Sequence, residues 1–213
     1  MKLHQYQMPA DKFSQEEHEK YYELKEQGLE QVLGKMHGIA GHAIIPFDLG
    51  GAVDMYYFLN HISGTGFATM ELLDPDGKGP QPNPFGTYEL VAFTKLPYNS
   101  SDKEDTPFDL IERRFCGTFT SIGNYSTQAV LKPKDTCEVP RDDEENRYLI
   151  FDSYIPENKE FIIGNTKHHL LLCLEIFRSE MEFARQNGGA VLIDLLKQSG
   201  HYPYSDLDRQ PVA

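Results

Sequence analysis

Two periods of apolar and polar positions run along this chain, and the switches between them mark its elements. Residues 14–35, SQEEHEKYYELKEQGLEQVLGK, bring Tyr22, Leu29, Val32 and Leu33 to one face and leave charge on the others. This predicts an amphipathic surface helix covering part of a core and ending near Gly34. Ser14 is placed to cap it, with Glu17 reaching back three residues later. From about residue 42 the period shortens. AVDMYYFL (52–59), TGFATMELL (65–73) and GTYELVAFTKL (86–96) read as three neighbouring strands of an antiparallel meander. The last two are separated by DPDGKGPQPNPFG, whose four prolines and three glycines demand a surface loop.

A second helix is predicted from Pro107, with Thr106 as N-cap and Asp109 in the positive first turn. Phe108, Ile111, Phe115, Phe119 and Ile122 form its buried stripe, and Gly117 and a β-branched tail weaken its last turn. The polar run VLKPKDTCEVPRDDEENRY (130–148) reads as loop throughout. Strand patterns return in YLIFDSYIP (148–156), EFIIG and HHLLLCLEIF. Ser179 and Glu182 have capping-box spacing, with Glu180 also in the first turn of the helix they would open. That helix is expected to stop or kink at Asn187-Gly188. Another follows with Val191, Leu192, Leu195 and Leu196 inward, ending at Gly200.

At 213 residues the length suits one compact domain with a decoration: a helical extension over 1–37 and a domain over 38–213. Nothing approaches the ~20 apolar residues of a membrane span. The first thirty residues contain no apolar signal region, so the expectation is a cytoplasmic protein. A net charge of −13 argues against nucleic acid and suits a basic protein partner drawn in by long-range attraction.

Candidate chemistry is sparse. Cys116, Cys137 and Cys173 are far apart and read as free thiols. Cys137 has Lys134 nearby, which could lower its pKa. His37, His42 and His61 sit isolated among glycines and turns. His168 and His169 are adjacent on a strand and therefore point to opposite faces, which disfavours a shared metal ion. No phosphate-binding glycine motif occurs, and no cofactor is called for. The residues left for partner binding are the acidic run Asp142, Asp143, Glu144 and Glu145, with Tyr56 and Tyr57 as secondary candidates.

Several of these segments, in this order, resemble the Suppressor of fused family. They are VDMYYF (53–58), GFATMELL, TYELVAFTKLP (87–97), the helix from Pro107, YLIFDSYIP, LEIFRSEMEFARQNGGAVLIDLL and the tail YPYSDLDRQPV (202–212). The likeness spans about residues 38–212. It implies an α+β domain that binds protein, with no catalytic residues to carry over. Animal relatives hold Gli-type transcription factors, while single-domain bacterial relatives look like immunity proteins that neutralise polymorphic toxins. The expectation is therefore an α+β fold: a mainly antiparallel or mixed sheet flanked by helices, with an N-terminal amphipathic helix. Its expected role is non-enzymatic binding of a protein partner such as a toxin domain with a basic surface. Two alternatives stay open: an enzyme or small-molecule-binding protein whose site is assembled only by the fold, and a regulatory adaptor. The oligomeric state is open too.

Overall fold

The computed structural model describes residues 13–75, 79–82, 84–100, 105–141, 145–156 and 158–213. Its elements are α1 (Gln15–Leu33), β1 (Ala40–Gly41), a short 3-10 turn (Phe47–Leu49), β2 (Met55–Phe58), β3 (Thr65–Ala68) and β4 (Tyr88–Thr94). They continue with α2 (Pro107–Ser126), β5 (Thr136–Val139), β6 (Arg147–Ser153), β7 (Phe161–Ile163), β8 (Thr166–Ile176), α3 (Arg178–Asn187) and α4 (Gly189–Gln198). The sheet order is β1-β2-β3-β4-β8-β6-β5, with β7 paired to the start of β8. The meander from β2 to β4 is antiparallel, as its spacing predicts. β8 lies parallel to β4 and antiparallel to β6, so the fold is α+β with a mixed sheet.

β8 is the spine of the molecule. Its neighbours alternate between two apolar layers, because successive strand side chains point to opposite faces. Leu170, Leu172 and Leu174 pack with Val91 and Phe93 of β4 under α1, α3 and α4. Leu171 and Cys173 pack with Leu90 and Ala92 under the α2 stripe of Phe108, Phe115 and Phe119. Both faces being covered explains why every residue of β4 is buried.

The caps of α1 and α2 form as their sequences predict. Ser14 N–H donates to Glu17 at 2.8 Å and Thr106 N–H to Asp109 at 2.9 Å, each with a reciprocal bond. The weak last turn expected of α2 holds to Ser126. There Ser126 Oγ donates to the Gly123 carbonyl, and Gly123 lets the Phe47 ring approach to where a Cβ would sit 3.0 Å away.

Three expectations are corrected. The polar run over 130–148 contains a strand, β5, whose four residues Thr136–Val139 are too short a signal amid polar and proline neighbours and take their hydrogen-bond ladder from β6. α3 is not capped by Ser179 and Glu182. It begins two residues earlier, from Phe177 as N-cap, with Glu180 accepting from Phe177 N–H at 3.0 Å, while Glu182 pairs with Arg178. In α4 it is Ile193 that is buried with Leu192 and Leu196, and Val191 is exposed.

Two buried ion pairs tie the periphery to the sheet. Lys25 of α1 and Glu89 of β4 are fully buried 3.3 Å apart. Glu89 also accepts from Thr69 Oγ1 at 2.7 Å and from Leu72 and Leu73 N–H, while Lys25 donates to the Met70 and Leu73 carbonyls. This network fastens the 69–73 turn to both elements. At the other end of the chain, Arg209 grips Glu180 with two bonds of 2.6 and 2.9 Å and stacks its guanidinium on Phe177. The tail is thereby laid over β8, where Ser205 Oγ accepts from Glu175 N–H. No described helix is long and apolar enough to cross a membrane.

Candidate protein-binding site

The histidine doublet of β8 diverges. His168 Nδ1 lies 2.8 Å from Thr87 Oγ1 under the α1 layer, whereas the His169 ring leans at a tilt against Phe85 on the other face. His61 Nε2 contacts the Tyr154 hydroxyl at 2.7 Å, and burial lowers its pKa. Among the described residues, no three of His, Cys, Asp or Glu converge as a metal ion would require.

The thiols are poorly placed for nucleophilic work. Cys137 lines a groove of about 670 Å³ beside β5, yet its thiol is pushed up by burial and by Glu138. The lowering by Lys134 considered from sequence does not occur, because that amine is turned to the Asp152 carboxylate. Cys116 shares a smaller cavity with His42, and burial raises its pKa as well. His42 Nδ1 does meet Asp54 at 2.7 Å, but the ring is largely exposed and the thiol beside it stays protonated at neutral pH.

The β1 edge of the sheet is built differently. Its strand is only two residues long, and the chain then runs through HAIIPFDLGG. Pro46 starts a tight turn closed by Gly50 and Gly51 N–H onto Phe47 and Pro46. Phe47 turns inward against α2, and Asp54 accepts from Ala43 N–H at 2.8 Å. With the turn pinned at both points, Ile39, Ile44, Ile45 and Leu49 face outward, and Ile44 is fully exposed. Isolated apolar side chains on a surface are ordinary, whereas four within eleven residues make a patch.

Beside the patch lies a cleft of about 590 Å³ with Asp48, Asp54, Glu71 and Asp74 in its lining. Glu71 is pushed up to about 8, first by burial and then by repulsion from Glu89; the Met70 N–H opposes the shift. Burial in the cleft therefore favours the protonated form of Glu71, and a positive group placed beside it would favour the ionised one. Tyr56 and Tyr22 are raised too, by burial first and then by the Glu71 carboxylate.

Tyr56 and Tyr57 point to opposite sides of β2. Tyr56 is half-buried, with its ring against His42 near the acidic cleft, while Tyr57 is buried and donates to Glu112. Glu145 is exposed near the opposite edge of the sheet, so the structure does not bring it together with the tyrosines. Asp142, Asp143 and Glu144 lie outside the described residues. The exposed isoleucines were missed by sequence reasoning. Their signal was present: an Ile-Ile pair wedged between glycines and a proline, too interrupted for a strand and too apolar for an ordinary loop.

No family model matches the chain, and no curated protein matches it. Among solved structures, a chain of the Sufu–Fu complex crystal structure aligns with a TM-score of 0.61 at 15% identity, covering 92% of this chain and 91% of that one. At such low identity the likeness is one of backbone architecture, and it gives this chain a Suppressor of fused-like fold.

Proposed function

We propose that this is a non-enzymatic protein-binding domain that receives a basic, partly apolar segment of another protein at its β1 edge. The observation that carries the reading is the exposed Ile39–Leu49 patch beside an acidic cleft. Each isoleucine or leucine covered by a partner contributes about 1.5–3 kcal/mol of apolar transfer. The carboxylates would steer a basic partner and fix its orientation. β1 is an edge strand, which also leaves room for strand addition.

Within that class, the reading we favour is an immunity-type protein that covers and neutralises a cognate toxin domain. The net charge of −13 supports it, since fast capture of a basic toxin benefits from attraction at a distance. Likeness to a chain from a protein–protein complex supports the broader binding role. The acidic run 142–145 remains a second proposed contact.

The binding surface is tested with Ile44→Asp/Ile45→Asp, which touches only exposed positions. Affinity for a partner captured by the parent protein should fall by about tenfold or more with an unchanged melting temperature. An unchanged affinity removes the β1 edge from the interface. The toxin reading is tested by growth: cells expressing a toxin domain encoded beside this chain should survive only when the chain is co-expressed. Death regardless of co-expression rejects it.

A further inference from the structure

The cleft beside β1 is one-sided in charge. Asp48, Asp54, Glu71 and Asp74 are in its lining, and no lysine or arginine is among the described residues that line it. Asp54 bonds to the His42 ring and the Ala43 N–H, and Glu71 to the Met70 N–H at 3.2 Å. Among the described residues, no lysine or arginine forms an ion pair with Asp48, Asp54 or Glu71. Ala43 and Pro46, which flank the exposed Ile44 and Ile45, also line the cleft, so the acids and the apolar patch form one continuous surface.

The chain itself carries a segment of matching character. Phe13 lines the cleft, and MKLHQYQMPADK (1–12), which precedes it, lies outside the described residues. That segment has Lys2 and Lys12 against the single acid Asp11, in a chain whose net charge is −13. Between the lysines come Leu3, Tyr6 and Met8. Consecutive Cα atoms are about 3.8 Å apart, so the bond to Phe13 alone keeps Lys12 within a side chain's length of the cleft mouth. Lys2 precedes Phe13 by eleven residues, a tether of up to about 36 Å when extended, which is ample to cross the cleft and reach the isoleucines.

We propose that residues 1–12 dock in cis on this surface, with the two lysines against the cleft carboxylates and Leu3, Tyr6 and Met8 over the isoleucine patch. Tethering presents the segment at an effective concentration on the order of millimolar. Exposed ion pairs of about 0–1 kcal/mol each, too weak to join separate molecules, then suffice to hold it. The arm regulates the site: a partner must displace it, so only segments more basic or more apolar than the chain's own gain entry. That consequence rests on the reading of the β1 edge as a binding surface, whereas the docking itself needs no partner.

The test uses the full chain alone, as an equal mixture of isotope-labelled and unlabelled protein, treated with a carbodiimide that joins an amine to a carboxylate in contact with it. Peptide mapping should find Lys2 coupled to Asp48, Asp54, Glu71 or Asp74 within one molecule. Hydrogen exchange supplies the second readout. Lys2→Gln/Lys12→Gln should speed exchange of the Ala43–Leu49 amides by about fivefold at low salt. Lys132→Gln/Lys167→Gln, an equal charge change outside the cleft lining, should not. Coupling of Lys2 only to acids outside the cleft, such as Glu16 and Glu19 of α1, or to none, overturns the proposal. So does unchanged exchange in the Lys2/Lys12 variant. Links between a labelled and an unlabelled molecule assign the segment to a second copy and overturn it too. Neither readout involves a partner, so these failures strike the arm and leave the β1 edge to the Ile44→Asp/Ile45→Asp affinity test.

Discussion

At the β1 edge the apolar side chains stand out and the carboxylates are recessed beside them. In the groove between α2, β6 and α3, five arginines line the surface with carboxylates set among them: Asp105 meets Arg113, Glu175 meets Arg114 and Glu182 meets Arg178. Each end is steadied by one buried ion pair that the exposed residues do not share. Lys25–Glu89 holds the turn bearing Glu71, and Glu180–Arg209 holds the tail beside Phe177. The difference shows that a net charge of −13 describes the field felt far from the molecule, where it favours basic partners. Within a few ångströms the local side chains decide: the cleft beside β1 is lined by carboxylates, whereas the groove at the other end sets arginines against them.

The largest effect should come from removing a buried anchor. Glu89→Ala leaves the buried Lys25 ammonium without its bonded carboxylate, beside two carbonyls and the Tyr21 and Tyr22 rings, and should cost about 3–5 kcal/mol of stability by urea unfolding. It should also raise hydrogen exchange in residues 69–73 first, loosening the acidic end while the arginine groove keeps its protection. A uniform rise over both ends would show that the two regions are one cooperative unit. Arg209→Ala should cost less, about 2–4 kcal/mol, since its partner Glu180 keeps the Phe177 and Val212 N–H donors. Its local exchange signature should appear at the tail and the start of α3.

The smallest effect is pH-dependent and belongs to Glu71 alone. Its folded pKa of about 8 lies above the ordinary carboxylate value of 4.5, so the unfolded chain loses this proton first. The resulting penalty on folding is absent well below the ordinary value, grows as pH rises toward 8, and stays constant above it. Glu71→Gln should therefore match the parent near pH 4 and exceed its melting temperature near pH 8. Equal curves across that range would mean the carboxylate ionises freely. A basic partner side chain in the cleft favours the ionised form, so parent affinity should climb through neutral pH by at most about tenfold per unit, and Glu71→Gln should flatten the climb.

Much of the architecture was legible because it is written in local pattern. Ser14 with Glu17 and Thr106 with Asp109 are capping signals complete within four residues, and both close as read. The alternation in HHLLLCLEIF marked a strand covered on both faces and sent the histidines apart. Where pattern was weak, neighbours took over. β5 is a strand because β6 lies next to it, and Phe177 opens α3 because Glu180 can reach back to its N–H. The candidate sites were less legible still. Glu145 was read as one of four acids in a run, yet it sits beside arginines drawn from α2, β6 and α3.

By itself the sequence determined the periods, caps and breaks, since these depend on side chains a few positions apart: helices from Ser14 and Thr106, the β2–β4 meander, and a spine at residues 166–176. The tertiary structure alone decided that β4 and β8 run parallel, that Lys25 meets Glu89, and that five arginines share a groove. It alone turned Ile44 toward solvent. The physical reason is range. Propensity and capping are settled along the backbone, whereas burial and the gathering of charge depend on which distant segments the packed core forces together.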